Sequence, residues 1–310
     1  MTLVLLDSAS LYFRSYYALP ESMTSPDGVP VNAARGFTDT VARIITDRRP
    51  TRLVACLDAD WRPAFRVELL PSYKAHRVAD EAANIEEVPD TLSPQVPIIL
   101  DLLDAAGLAT GEAAGFEADD VIGTLAFLEQ QDPVEVITGD RDLFQVVRDE
   151  PSPARVVYVG KGWARAEILG TAELAERYGL PVVDTGPGYA DMALLRGDPS
   201  DGLPGVVGIG EKTAAKLITE YGSLHGLLVA AQEGRVPNKV AARLADAADY
   251  LAVAPKVVRV ATNAPVEMSG DDTIPTEPKD PKRLAELAKR WGLESSVKRL
   301  TDAMATNANR

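Results

Sequence analysis

The stretch L-V-L-L-D, residues 3–7, decides the fold. An unbroken apolar run that ends in an acid and leads into the helical spacing of S-L-Y-F-R-S-Y-Y-A-L (10–19) reads as a strand buried on both faces, followed by a helix. The figure recurs. L-V-A-C-L-D (53–58) and V-E-V-I-T-G-D (134–140) are again apolar runs ending in Asp, and A-A-R-G-F-T-D-T-V-A-R-I-I-T-D (33–47) supplies a helix between the first two strands. Strands alternating with helices pair in parallel, and open parallel sheets bind ligands at the carboxyl ends of their strands. Asp7, Asp58 and Asp140 all fall at that edge, and A-R-V-V-Y-V-G (154–160) is a fourth strand for the same sheet.

The fold class is therefore α/β, with a mostly parallel central sheet flanked by helices over about residues 1–180. Residues 181–310 are expected to be helical, from stretches such as N-K-V-A-A-R-L-A-D-A-A-D-Y-L (238–251) and P-K-R-L-A-E-L-A-K-R-W (281–291), with no convincing buried strand. Residues 263–281 read as an extended, acidic, Pro-rich connection, and residues 70–92 lack a core face and are expected to be exposed and mobile. At 310 residues the chain can bury a sizeable core. No apolar run approaches the roughly 18 residues of a membrane span, and M-T-L-V-L-L-D is too short and too soon acidic for a signal peptide, so no membrane partner and a cytoplasmic location are expected. The single Cys56, inside an apolar run, reads as a buried inert thiol.

The net charge of −14 argues against a nucleic-acid partner until its distribution is considered. Residues 78–150 hold 18 acids against two arginines, so the remainder of the chain is close to neutral. Residues 43–77 carry eight Lys/Arg against four acids, and residues 280–300 six against three, which leaves basic surface beside an acidic centre.

Acids also cluster by motif. In G-F-E-A-D-D-V-I-G-T-L-A (115–126), Glu117, Asp119 and Asp120 crowd a helix start. The free N–H groups there favour negative charge, which explains one or two acids but not easily three, and Glu117 and Asp120 share a helix face, repelling each other unless a cation intervenes. Capping and metal binding both remain open on this stretch alone. Asp140 and Asp142 in I-T-G-D-R-D-L-F, and Asp198 and Asp201 in R-G-D-P-S-D-G-L-P-G, are each ordinary turn chemistry singly. Together, nine acids at strand ends, a helix start and Gly-flanked loops, without His or Cys companions, suit Mg²⁺ or Mn²⁺ rather than Zn²⁺. Finally, L-P-G-V-V-G-I-G-E-K-T-A-A-K-L (203–217) opens a helix behind Gly208 and Gly210 and carries Lys212 and Lys216 on it. It follows no strand and lacks dinucleotide spacing, so a hairpin gripping a DNA backbone fits best.

These motifs, with Y-K-A-H-R (73–77), occur in the order and spacing of the bacterial 5′ nucleases, and over about residues 1–230 the chain resembles that family, the flap endonucleases and 5′–3′ exonucleases known also as a domain of DNA polymerase I. The resemblance implies a stand-alone enzyme of the actinobacterial type without a polymerase region, with a PIN-like core, a helical arch at about 70–92 and a helix-hairpin-helix at about 190–225. It implies hydrolysis of DNA at a 5′ flap, nick or duplex 5′ end in replication and repair. The implied form is a nucleoid-associated monomer working beside a polymerase and a ligase. Carried over by position, Asp7, Asp58, Glu117 and Asp119 would hold a first Mg²⁺ or Mn²⁺. Asp120, Asp140, Asp142 and Asp201 would hold a second, with Asp198 outside them. Lys74 and Arg77 would touch the scissile phosphate, Arg14 would line the DNA wall, and the hairpin could hold K⁺ or Na⁺. The chain departs from the family at Gly202, where Asn is usual, and at Pro199, where a small residue or hydroxyl is usual, so this loop is expected to be set differently. Three other readings fit less well. A binding-only relative would lack the nine acids, a PIN-like ribonuclease would not need the 203–217 hairpin, and a phosphatase using Asp7 would want a second Asp where Ala9 stands.

Overall fold

The structure, a computed structural model, describes residues 1–80 and 85–308. Its strands are β1 (Leu3–Asp7), β2 (Arg52–Cys56), β3 (Val78–Asp80), β4 (Ile85–Glu86), β5 (Ala109–Glu112), β6 (Val134–Thr138), β7 (Ala154–Tyr158), β8 (Glu167–Leu169) and β9 (Glu267–Met268). The helices of the first half are α1 (Ser8–Ala18), α2 (Asn32–Arg48), α3 (Ala64–Leu69), α4 (Gln95–Ala106) and α5 (Ala118–Leu128). Those that follow are α6 (Thr171–Tyr178), α7 (Thr185–Arg196), α8 (Glu211–Tyr221), α9 (Leu224–Gln232), α10 (Asn238–Asp246), α11 (Ala248–Val258), α12 (Pro281–Trp291) and α13 (Glu294–Ala308).

The main sheet runs β8-β7-β6-β1-β2-β5-β9. Its five inner strands are parallel, and both edge strands are antiparallel. Alternate residues of the apolar runs serve two cores. Leu3, Leu5, Val54, Cys56, Val134 and Val136 face α5, α7 and α8, whereas Val4, Leu6, Leu53, Ala55 and Ile137 face α2, α4, α12 and α13. Both faces are covered, which is why these strands carry unbroken rather than alternating apolar sequence. β1 pairs with β2 on one side and β6 on the other, so the order reverses at β1 and opens a crevice at the carboxyl ends of β1 and β6.

Three short strands escape the sequence patterns. β5, β8 and β9 are two to four residues long, too short for any periodicity to register. β9 lies within the acidic connection and pairs with β5, drawing the chain back to the sheet before α12 and α13 pack against α4 and α2. The arch is the larger difference. Described residues 75–80 and 85–86 form one 3₁₀ turn and an antiparallel β3–β4 pair rather than a helix, and residues 81–84 lie outside the described residues. Repulsion between acids one turn apart, Glu86 and Glu87 against Asp90, disfavours a helix here.

Candidate active site

Each strand of the crevice delivers an acid. Asp7 ends β1 and caps α1, its Oδ1 accepting from Ser10 N at 3.1 Å and its Oδ2 from Thr138 Oγ1 at 2.6 Å. Asp58 follows β2 and accepts from Ala118 N at 2.7 Å, tying the loop after β2 to the start of α5. Asp140 follows β6 and Gly139, against which the Arg14 guanidinium packs so closely that a Cβ there would stand 1.8 Å from Arg14 Nε and displace it. A cavity of about 320 Å³ is lined by Asp7, Asp58, Glu117, Asp119 and Asp140 together with Lys74 and Arg77. A smaller adjoining one of about 20 Å³ is lined by Glu117, Asp119, Asp142 and Asp201. Glu117 and Asp119 line both. A larger groove of about 760 Å³ lies between α2 and α13 at the opposite edge, where Arg43 pairs with Asp47 and Arg299 with Asp39.

The electrostatics follow from crowding. Burial, together with the charges of Asp140 and Asp58, raises the Asp7 carboxyl to about 7 in spite of its hydrogen bonds. Burial, then Asp7 and Asp140, push Asp119 well above the carboxylate range, and burial, then Asp140 and Asp201, do the same to Asp142. Half-buried Asp201 is raised chiefly by desolvation, against the pull of Lys74 and Arg77. Among the described residues, no three of these acids stand as a ready-formed ligand set, as carboxylates that repel each other would without a cation between them. Of the acids lining the cavities, Asp7 and Glu117 are buried, Asp119, Asp142 and Asp201 are half-buried, and Asp58 and Asp140 are exposed. Hard-oxygen donors that still reach water fit Mg²⁺ or Mn²⁺, which keep part of their hydration shell.

Two cations are already present. Lys74 donates to Trp61 O at 3.3 Å and pairs with Glu117 Oε1. Burial opposes its charge, yet Glu117, Tyr73 and Asp201 together more than offset this and hold the ammonium well above its ordinary value. Lys74 adopts φ of +48°, a left-handed conformation rarely taken by a branched or long side chain, and its N–H donates to Asp201 O at 3.0 Å. Arg77 bonds Asp201 Oδ1 at 2.7 Å and Ser200 O at 2.8 Å. Gly202, at φ +69°, permits this docking, because a Cβ there would lie 2.0 Å from Ser72 O. Asp198 caps the turn through Ser200 N at 2.8 Å and lies 3.8 Å from Arg196 Nη2.

Two expected site residues are placed elsewhere. Asp120 is fully buried, lines neither cavity, and is taken bidentate by Arg66, with Nη1 to Oδ2 at 2.6 Å and Nη2 to Oδ1 at 2.7 Å. The cation expected between Glu117 and Asp120 is thus a guanidinium, since Arg66 Nη1 also reaches Glu117 Oε2 at 2.7 Å. Arg14 borders the larger cavity, but its guanidinium donates to Gly139 O and Gly160 O at 3.1 Å each, bracing the loop before Asp140 rather than standing free for DNA. Sequence reasoning missed Arg66, Tyr73 and Thr138. The basic count over 43–77 includes Arg66, but nothing local marks it as buried.

The hairpin lies beside the acids. Gly210 caps α8, Val207 at the tip is 86 % exposed, and Lys212 and Lys216 are exposed along α8. The Gly208 carbonyl already accepts from Arg243 Nη1 at 2.9 Å. Arg196 Nη1 bonds Glu211 Oε2 at 3.1 Å, linking the start of α8 to the loop of Asp198.

Fold and acid edge together define a class, the nucleases built on a carboxylate-lined parallel sheet. Residues 2–179 match the family model of the 5′–3′ exonuclease N-terminal resolvase-like domain, and residues 185–282 match that of the 5′–3′ exonuclease C-terminal SAM fold. The chain belongs to the 5′–3′ exonuclease family. It is 56 % identical over 311 residues to the 5′–3′ exonuclease of Mycobacterium tuberculosis, covering 98 % of each chain. It is 54 % identical to that of Streptomyces coelicolor over 302 residues, which is 96 % of this chain and 98 % of the relative. DNA polymerase I of Mycobacterium bovis is 42 % identical over 249 residues, 79 % of this chain but 26 % of the polymerase. In fold the chain is similar to the T5 5′-exonuclease with bound zinc ions, at TM-score 0.64 and 17 % identity, covering 99 % of this chain and 100 % of that one. It is also similar to the catalytic core of Rad2 in complex with DNA substrate, at TM-score 0.60 and 17 % identity, covering 97 % and 92 %. No helix among the described residues is long and apolar enough to cross a membrane.

Proposed function

We propose that this chain hydrolyses DNA phosphodiesters at 5′ flaps and duplex 5′ ends, in replication and repair, using two Mg²⁺ or Mn²⁺ ions. The observation that carries this reading is the convergence of Asp7, Asp58, Glu117, Asp119, Asp140, Asp142 and Asp201 around two adjoining cavities, the larger of which also receives Lys74 and Arg77. The bound ions would supply a nucleophilic hydroxide from water and neutralise charge on the reacting phosphate. Asp7, Asp58, Glu117 and Asp119 would hold the first ion and Asp140, Asp142 and Asp201 the second, with Asp198 orienting the turn that presents Asp201.

The rest of the chemistry belongs to side chains. Thr138 and Ser10 N hold both oxygens of Asp7, so that carboxylate is aimed before anything binds. Lys74 and Arg77, paired with Glu117 and Asp201, would exchange those partners for the scissile phosphate and meet the charge that develops on it. Residues 1–180 would form the nuclease core and 181–310 the DNA-gripping region. There the Gly208–Gly210 turn and the first turn of α8 would offer N–H groups, Lys212 and Lys216 to duplex phosphates. A K⁺ or Na⁺ at the hairpin would have to share the Gly208 carbonyl with the Arg243 guanidinium or use other carbonyls.

The test is cleavage of a labelled 5′-flap DNA and of its RNA counterpart, with Mg²⁺, Mn²⁺ or chelator. The expected result is metal-dependent cutting of the DNA near the junction. Equal cutting of RNA would favour the PIN-like ribonuclease reading, and cutting in chelator would remove the metal reading.

A further inference from the structure

The two oxygens of Glu117 have different surroundings. Oε2 accepts from Arg66 Nη1 and from Tyr73 Oη, both at 2.7 Å, and has no capacity left. Oε1 pairs with Lys74 beside the large cavity. Arg66 is itself immobilised. Its Nε donates to Val257 O at 2.9 Å at the end of α11, its Nη atoms hold Asp120, and its side chain is 3 % exposed. Asp120 is equally committed. Beyond Arg66, its Oδ1 accepts from Ala261 N at 2.8 Å and its Oδ2 from Glu117 N at 3.2 Å, so each oxygen takes two hydrogen bonds.

We propose that Arg66 is a positioning residue for the first ion: held by Asp120 and by the Val257 carbonyl, it fixes Glu117 with Oε1 turned to the cavity, and Asp120 serves this brace rather than holding an ion. The brace joins α3, at the foot of the arch, to the start of α5 and to the segment after α11. Three parts of the chain distant in sequence thus set one carboxylate oxygen. Partners that orient a ligand are worth about 10- to 100-fold in metal affinity. A brace and a ligand also differ in how their mutations combine.

The proposal rests on the two-ion reading of the site, and metal binding without substrate tests it. Mn²⁺ affinity of the metal-stripped full chain is measured by electron paramagnetic resonance for wild type, Arg66→Lys, Asp120→Asn, their double mutant and Tyr73→Phe, at a temperature where melting curves show each folded. Arg66→Lys and Asp120→Asn are each expected to weaken Mn²⁺ binding on the order of tenfold. The double mutant should lose no more than the worse single, and Tyr73→Phe should show a smaller loss. An Asp120→Asn loss that is the same in the wild-type and Arg66→Lys backgrounds would mark Asp120 as a ligand and overturn the proposal. So would wild-type affinity in Arg66→Lys or, should that variant not fold, in Tyr73→Phe. A wild-type chain that binds no Mn²⁺ would remove the two-ion reading and the brace with it.

Discussion

Asp119 and Asp120 are adjacent in sequence and opposite in surroundings. Successive side chains on a helix point about 100° apart, so one enters the acid cavities and the other turns inward to Arg66. Asp119 is left with neighbours mostly of its own sign, whose effect outweighs that of Lys74, while Asp120 has every lone pair engaged. Asp142 resembles Asp119, and a raised carboxyl has a consequence for stability. A group that binds its proton more tightly when folded costs stability as pH rises from its ordinary range toward its folded value. At neutral pH, Asp142→Asn in the metal-free chain is therefore expected to melt above wild type, by differential scanning calorimetry in chelator. The same variant should cut flap DNA slower by orders of magnitude with binding in Ca²⁺ little changed, because an amide is a poor ligand for a hard cation. Equal melting and near-normal turnover would take Asp142 out of the site.

At the scale of elements, the turn before α8 and the foot of the arch are built as one piece. Ser72 Oγ donates to Gly202 O at 2.8 Å and Lys74 N to Asp201 O at 3.0 Å, so the acid loop sets where Lys74 and Arg77 stand. Asn tolerates the left-handed backbone of Gly202, but its Cβ does not tolerate Ser72 O. Gly202→Asn should push the arch foot away and lower single-turnover cleavage on the order of tenfold or more, since small misplacements of a catalytic group are costly. Its Kd for flap DNA should hold. Unchanged single-turnover rates would show the arch foot free to relax. The hairpin should behave in the opposite way. Lys212→Ala with Lys216→Ala is expected to weaken flap DNA binding and to lower the log K against log[salt] slope by about 1 to 2 units, at about 0.9 per phosphate neutralised. Saturated single-turnover cleavage should stay near wild type, and an unchanged slope would place the duplex grip elsewhere.

Across the whole molecule, the chain leaves the sheet after β8, builds α6 to α11 beside the acids, and returns through β9. Arg52, opening β2, holds that return: it bonds Asp272 twice, at 2.9 and 2.8 Å, and pairs with Glu129. Burial alone would raise Glu129, but the N–H groups of Asp132 and Gln131 and the Arg52 guanidinium outweigh it and bring the carboxyl to about 2. A depressed carboxyl contributes stability above its unfolded value near 4.5 that is lost as pH falls toward 2. Arg52→Met should therefore melt below wild type at pH 6 to 7, and the gap should narrow as pH approaches 2. A gap independent of pH would assign the loss to packing alone.

What the sequence by itself determined is the sheet and the acid edge. Strands buried on both faces need unbroken apolar runs, and the topology brings the ends of those runs to one side, so Asp7, Asp58 and Asp140 could be read from order alone. The helix start at Glu117 was legible for the same reason: a periodic apolar stripe announces it, though not which of its acids turn inward. Only the tertiary structure decided that Arg66 stands between Glu117 and Asp120, that Arg14 braces Gly139, that the arch foot docks on Gly202 and that the acidic connection returns as β9. Each depends on two segments, several of them more than a hundred residues apart, approaching within hydrogen-bond reach. Local periodicity carries no trace of that approach, because the partner that satisfies a buried charge need not lie within a turn or a strand of it.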